Sequence, residues 1–187
     1  SNFLTPFKLK RIDTNVENCR AAFARAGKAV RIEPAQIDST QCTRQDTIKL
    51  ASLSTAKLNE EETRCAIAAR LFMWEHNVVQ PAARQHMGEP VAEILHFGSY
   101  SCRTIRGSSA TSEHATANAF DISGFRLSSG KLVSLKQQWQ GSQPEAEFLK
   151  EVRDGACDYF NVVLSPDYNA DHHDHLHVDM GWYRTCR

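Results

Sequence analysis

The sequence has no surplus of either charge: 22 Lys and Arg are matched by 22 Asp and Glu, for a formal net charge of zero at pH 7. A protein that grips nucleic acid through its phosphates usually carries a basic excess, so nucleic acid is not an expected partner. Long hydrophobic runs are also lacking. The densest apolar stretch, CAIAARLFMW, is interrupted by Arg70 and falls short of the roughly 18 residues a membrane helix needs. No C-x-x-C pair occurs among the six cysteines, which argues against a zinc ribbon or a thioredoxin-like motif. There is no internal repeat, no low-complexity tract and no linker rich in Pro, Gly or Ser. Ser1 opens without a recognisable signal peptide, which reads as a cytosolic chain or a mature, processed one.

What is present is an ordinary globular composition. The 187 residues are 41% hydrophobic and 24% charged, enough for one domain with a real core. Cys19, Cys42, Cys65, Cys102, Cys157 and Cys186 are dispersed and even in number. That pattern fits three disulfides in an oxidising compartment, hence a periplasmic or secreted protein in mature form. The competing reading is a set of buried free thiols in the cytosol. The pairing is not readable from sequence, although Cys19 and Cys42 bracket the polar first part of the chain and suggest a local bridge. The chain is read as an N-terminal extension, residues 1–53, packed on a main domain, residues 54–187.

Periodicity gives an α+β protein: helices first, then a mostly antiparallel sheet with flanking helices. A short helix is expected over 18–26, ending at Gly27, and short strands over 30–33 and 47–50. Asn59 with Glu62 three residues on resembles a capping box, and Ile67, Leu71, Trp74 and Val78 give the following helix one apolar face. Pro81 is read as opening a second helix that Gly88 stops. A strand is expected over 91–97, a hairpin from 119–125 and 131–135, and a helix from Pro144 to about Gly155. A buried strand over 159–164 and a last strand over 175–180 complete the reading.

Four of the eight histidines lie within the run Asp171-His172-His173-Asp174-His175-Leu176-His177-Val178-Asp179. In a strand, His175, His177 and Asp179 share one face. A metal site gains two imidazoles at fixed separation from this arrangement. A solvated polar loop, an adventitious metal patch, or a copper or iron site using the H-x-H pair are the alternatives. The second segment runs from Ser112 through His114 to Asp121. Asp121 stands between Phe120 and Ile122, so a strand that buries those two turns Asp121 toward a cleft. A carboxylate there is costly unless paired with a neighbouring Arg or bound to a cation.

Residues 112–121 resemble the S-x-H-x-x-G-x-A-x-D motif of the LAS metallopeptidases, a group that covers D-Ala-D-Ala metallopeptidases, lysostaphin-type enzymes and the hedgehog signalling domain; the downstream H-x-H completes the pair. Ala117 stands where that motif has Gly, a mild replacement if the backbone there is not at positive φ. A closer resemblance covers the chain from about Cys19 to Cys186. The stretches VVQPAAR, HFGSYSCR, SEHATANAFDI, SPDYNADHHDHLHVDM and YRTCR are similar to the bacterial extensin-like C-terminal domain family.

The resemblance implies a disulfide-stabilised hedgehog/DD-peptidase-like fold, with residues 54–187 as an LAS-type zinc peptidase domain. It implies that His114, Asp121 and His177 bind one Zn2+ and leave a fourth position for water, the pattern of a catalytic site. Asp174, three residues before the last ligand, takes the acid/base place. His175 is implied to stabilise an oxyanion or hold the nucleophilic water, and His172 is the alternative acid/base; His173 is read as a loop residue. Arg103 resembles the Arg of a G-Y-R segment that captures a substrate carboxylate, in a register shifted by Cys102, with a plain surface Arg as the competing reading. Ser112 braces the His114 loop. The implied activity is hydrolysis of an amide bond in peptidoglycan stem peptides or cross-links, next to D-Ala, by a D,D- or L,D-, endo- or carboxypeptidase. A non-catalytic zinc-containing wall-binding or partner-binding domain is the alternative.

Overall fold

The computed structural model describes residues 10–13 and 15–187, and its α+β architecture follows where apolar residues alternate and where they recur at helical spacing. A short hairpin, β1 (Gln36–Ile37) and β2 (Thr43–Arg44), precedes an eight-stranded sheet. The strands are β3 (Thr47–Ser52), β4 (Lys57–Arg64), β5 (Val91–Gly98), β6 (Ala119–Leu127), β7 (Leu132–Ser134), β8 (Val162–Leu164), β9 (Leu176–Asp179) and β10 (Thr185–Cys186). Their order is β10-β8-β9-β6-β5-β4-β3, with β7 paired to the far half of β6. The β4–β5 and β8–β10 pairs are parallel; the other pairs are antiparallel. β3 and β4 pair across residue 53, so one sheet spans the expected division between extension and domain.

The helices are α1 (Val16–Arg25), α2 (Cys65–Trp74), α3 (Gln80–Met87), α4 (Leu135–Gln138) and α5 (Pro144–Ala156). Asn15 caps α1, its side-chain oxygen accepting the Glu17 N–H at 2.8 Å. Ile67, Leu71 and Trp74 are buried, as their spacing demands. The Trp74 indole N–H donates to the Val152 carbonyl of α5 at 3.0 Å, and Phe125 packs between Trp74 and Phe148. β6 supplies the sheet side of this core. A bulge at Ser123, where His96 pairs Ile122 and Leu95 pairs Gly124, keeps Phe120, Ile122, Phe125 and Leu127 all on the core face. No helix of the described residues is long and apolar enough to cross a membrane.

Several expectations are corrected. Residues 57–64 form β4 and not a capped helix start; the Asn59 carbonyl accepts a bond from His96 Nε2, and the helix begins at Cys65. Glu-rich sequence favours helix locally, and pairing with β3 and β5 overrides it. The helix expected from Pro81 to Gly88 is present as α3, with Pro81 in its first turn and Gly88 left-handed at its end, but it is not separate from α2. α2 and α3 run on through a π-turn, Glu75–Val79, in which the Gln80 N–H reaches the Glu75 carbonyl. The wider turn accommodates a residue that has no N–H to give the preceding turn. The helix from Pro144 ends at Ala156, as expected, and its Gly155 packs against Val78, where a Cβ would clash. Residues 30–33 contribute only the Ile32–Ile48 bridge. The last strand is β10, beyond β9. The local Cys19–Cys42 bridge is overturned: the disulfides are Cys19–Cys65, Cys42–Cys102 and Cys157–Cys186.

The π-turn also places a fully buried carboxylate. Glu75 accepts the N–H groups of Ser54 (3.0 Å), Thr55 (3.3 Å) and Ala56 (3.1 Å), the Ser54 hydroxyl and the Gln80 amide (2.6 Å). Gln80 in turn bonds both backbone groups of Val91 at the start of β5. One side chain thus fixes the β3–β4 turn to the helix. Glu75→Ala leaves several buried donors without a partner and is expected to lower stability by about 3 kcal/mol or more, read as a fall in the urea midpoint with the disulfides intact.

Candidate metal centre

The centre is assembled by neighbouring strands and one tight turn. β6 and β9 pair with Asp121 opposite His177, so their side chains emerge side by side on the face away from Phe120 and Ile122. His114 arrives on a 3-10 turn, Glu113–Thr116, between β5 and β6. The buried Ser112 hydroxyl caps this turn by accepting the His114 N–H at 3.3 Å. The turn ends at Ala117, which is fully buried and left-handed at φ 53° and ψ 28°. Positive φ is therefore required at the position where the LAS motif has Gly, and Ala bears a strain of about 1 kcal/mol there. The Ala117 carbonyl is held by the Arg64 N–H at 3.0 Å.

Three side chains converge. His114 Nε2 lies 3.2 Å from Asp121 Oδ2 and 3.2 Å from His177 Nδ1, and His177 Nδ1 lies 2.9 Å from Asp121 Oδ1. All three residues are buried, and their ligand atoms fall within 4.8 Å of one another. The outer ring nitrogens are fixed as well. His114 Nδ1 donates to the Ser99 carbonyl at 2.7 Å, and His177 Nε2 donates to Asp179 Oδ2 at 2.8 Å. Asp179 is itself held by the Gly181 N–H at 2.7 Å. Each ring thereby turns one nitrogen inward and anchors the other, as metal-binding imidazoles do. Two nitrogens and a carboxylate, each oriented from behind, fit a cation such as Zn2+ with three protein ligands. No cysteine takes part, since all six are in disulfides.

Charge reinforces the geometry. Burial works against the Asp121 anion, yet hydrogen bonds and charge from His114 and His177 outweigh it and hold the carboxyl far below its usual range. Burial likewise opposes charging of His177. The bonds and charges of Asp121 and Asp179 prevail and raise the ring to about 9.

The remaining candidates form a rim. His175 lies just before β9, its Nε2 3.7 Å from Asp121 Oδ1 and its Nδ1 2.9 Å from Asp174 Oδ1. Burial opposes ionisation of Asp174, but the His175 hydrogen bond and the His173 and His175 charges lower its pKa overall. His172 lies tilted against His175 and edge-on to His177 at ring separations of 5.1 and 5.9 Å, with Nδ1 donating to Asn169 Oδ1 at 2.7 Å. Burial first, then its histidine neighbours, lower His172 to about 4, so it is neutral at pH 7. His173 is exposed and bonded to the Ala170 carbonyl. Arg103 sits on the exposed loop tethered by Cys42–Cys102, and no contact ties its guanidinium to the three ligands. Sequence reasoning missed the Ser99 carbonyl and Phe97, which stands edge-on to His175 and is 61% exposed. It placed Asp179 on the right face without seeing its bond to His177; the two-residue spacing was the available signal.

The raised His177 pKa has a sign that can be checked. Its stabilising contribution is fully present below about 6.5 and is lost as pH rises through about 9. Protein kept metal-free by chelator should therefore lose thermal stability between pH 7 and 10, and a His177→Gln variant should lack that decline. An equal decline in the variant would remove His177 as its source. A cation competes with the Nδ1 proton, so metal affinity should rise over the same range.

Comparisons with curated proteins and with solved structures return no match. A family model does match: the one described as extensin-like protein C-terminus aligns with residues 17–187. That span contains the whole eight-stranded sheet, all three disulfides and the three converging side chains. By this match the chain belongs to the extensin-like protein C-terminus family.

Proposed function

We propose that the chain is a zinc-dependent peptidase that hydrolyses an amide bond in peptidoglycan stem peptides or cross-links, next to D-Ala. The observation that carries this reading is the buried His114–Asp121–His177 triad with both outer ring nitrogens anchored. Its residues stand in the S-x-H and H-x-H pattern that resembles the LAS metallopeptidases. When bound, zinc supplies a Lewis acid and brings the pKa of a water toward neutrality, which suits amide hydrolysis at pH 7.

The chain's own residues supply proton handling and orientation. Asp174 accepts the His175 Nδ1–H and so directs Nε2 toward Asp121. Nε2 is then the atom placed to take a proton at the cleft and return it to a leaving amine, with Asp174 as the carboxylate that orients the ring. His172 keeps its proton on Nδ1, bonded to Asn169, and leaves Nε2 as a lone pair. Phe97 provides an apolar wall beside His175. Arg103 is proposed to capture a substrate carboxylate. Three disulfides fit an extracellular or periplasmic protein, where this substrate is found.

Three measurements test the reading. His177→Ala should lose most bound zinc by elemental analysis; unchanged stoichiometry would refute the ligand set. Purified peptidoglycan and defined muropeptides should be cleaved in a zinc-dependent manner, with chelation abolishing and zinc restoring the products seen by mass spectrometry. Asp174→Ala and His175→Ala should retain zinc and lower turnover about 100-fold or more. No cleavage by folded, zinc-loaded protein would favour a wall-binding or partner-binding domain instead.

A further inference from the structure

The acidic strand β4 reaches the metal centre by a route that the ligand motif does not include. Glu61 Oε1 accepts the Ser99 N–H at 2.9 Å and lies 3.5 Å from the Tyr100 N–H. The Tyr100 N–H and the Ser99 carbonyl belong to one peptide unit, and that carbonyl accepts the His114 Nδ1–H at 2.7 Å. A carboxylate, a peptide and an imidazole thus stand in line. The close approach is built in. Gly98 has φ 107°, and a Cβ there would sit 3.3 Å from Glu61 Oε1, so glycine allows the carboxylate to close on the strand end. Thr63, two residues on and on the same face of β4, adds its hydroxyl 2.8 Å from Ser99 Oγ, which donates to the Ala119 carbonyl at 2.7 Å. Every polar atom of Ser99 is therefore held, and Ser99 is 1% exposed.

We propose that Glu61 is a positioning residue for the ligand His114, acting through the Ser99–Tyr100 peptide. The carboxylate fixes the plane of that peptide, and the peptide carbonyl fixes the proton on His114 Nδ1 and leaves Nε2 facing Asp121 and His177. His177 has its own carboxylate, Asp179, in direct contact. Both ligand imidazoles are then backed by an acid, one directly and one across a peptide bond. Partners behind metal-bound histidines typically govern affinity by about 10- to 100-fold. The inference rests on the metal-centre reading above.

The test is zinc affinity of the whole chain by competition with a chromophoric chelator, alongside thermal melting and the ring 15N shifts of His114. Glu61→Ala should bind zinc about 10-fold or more weakly, with a modest fall in melting temperature from the unpaired Ser99 N–H and with the ring 15N shifts of zinc-bound His114 displaced from those of the parent. Glu61→Gln keeps an acceptor oxygen in place and should recover most of the lost affinity. Glu61→Asp keeps the charge but shortens the reach and should bind weakly; it decides the matter if the alanine variant does not fold. Affinity within twofold of the parent in folded Glu61→Ala or Glu61→Asp would overturn the proposal while leaving the metal centre standing. A parent that binds no zinc, or binds it equally well after Asp121→Ala, would overturn both.

Discussion

A carboxylate buried in the middle of a sheet is the constraint on which the rest of this structure turns. Asp121 is 8% exposed, and its strand neighbours Phe120 and Ile122 are sealed into the core behind it. An anion in that position is tolerable only with positive charge or several donors in front of it. His114 and His177 supply them, and each is tied from behind, to Ser99 and to Asp179. The arrangement that removes the cost of burying Asp121 is also one that presents three metal-ligating atoms to a common point.

The fold serves this geometry by stacking contributions across adjacent strands. Glu61 on β4, Ser99 at the end of β5, Asp121 on β6 and His177 with Asp179 on β9 follow the strand order of the sheet. Only His114 comes from a turn, and that turn is held at both ends, by Ser112 before it and by the Ala117 carbonyl after it. The Cys42–Cys102 bridge anchors the loop that leads into it. A site assembled on strands keeps its spacing better than one on loops.

The parts legible in the sequence were those with a short-range physical signature. Alternation around Asp121 gave its direction, the H-x-H spacing gave a shared strand face, and the Trp74 stripe gave the core helix. The choice of His114, Asp121 and His177 as a set came from resemblance to known motifs, because nothing local to His114 shows that it meets a strand 63 residues away. β4 was illegible for the same reason. Its sequence, KLNEEETR, has helical character, and its strand state depends on β3 and β5. The disulfide partners lie 29 to 60 residues apart, so the pairing is a consequence of the fold. The left-handed backbone of Ala117 is set by tertiary bonds to its carbonyl, since alanine carries no local preference for it. Likewise the Asp174–His175 contact, which moves the acid/base reading toward the imidazole, depends on side-chain direction that spacing does not encode.

The most direct measurement is an anomalous diffraction map, collected at the zinc absorption edge from crystals of the zinc-loaded chain. The account requires a peak bonded by His114 Nε2, an Asp121 carboxylate oxygen and His177 Nδ1, with Asp179 and the Ser99 carbonyl still on the outer nitrogens. An ordered zinc held instead by the His172–His173 loop, or no peak between these three side chains at full zinc loading, would contradict it.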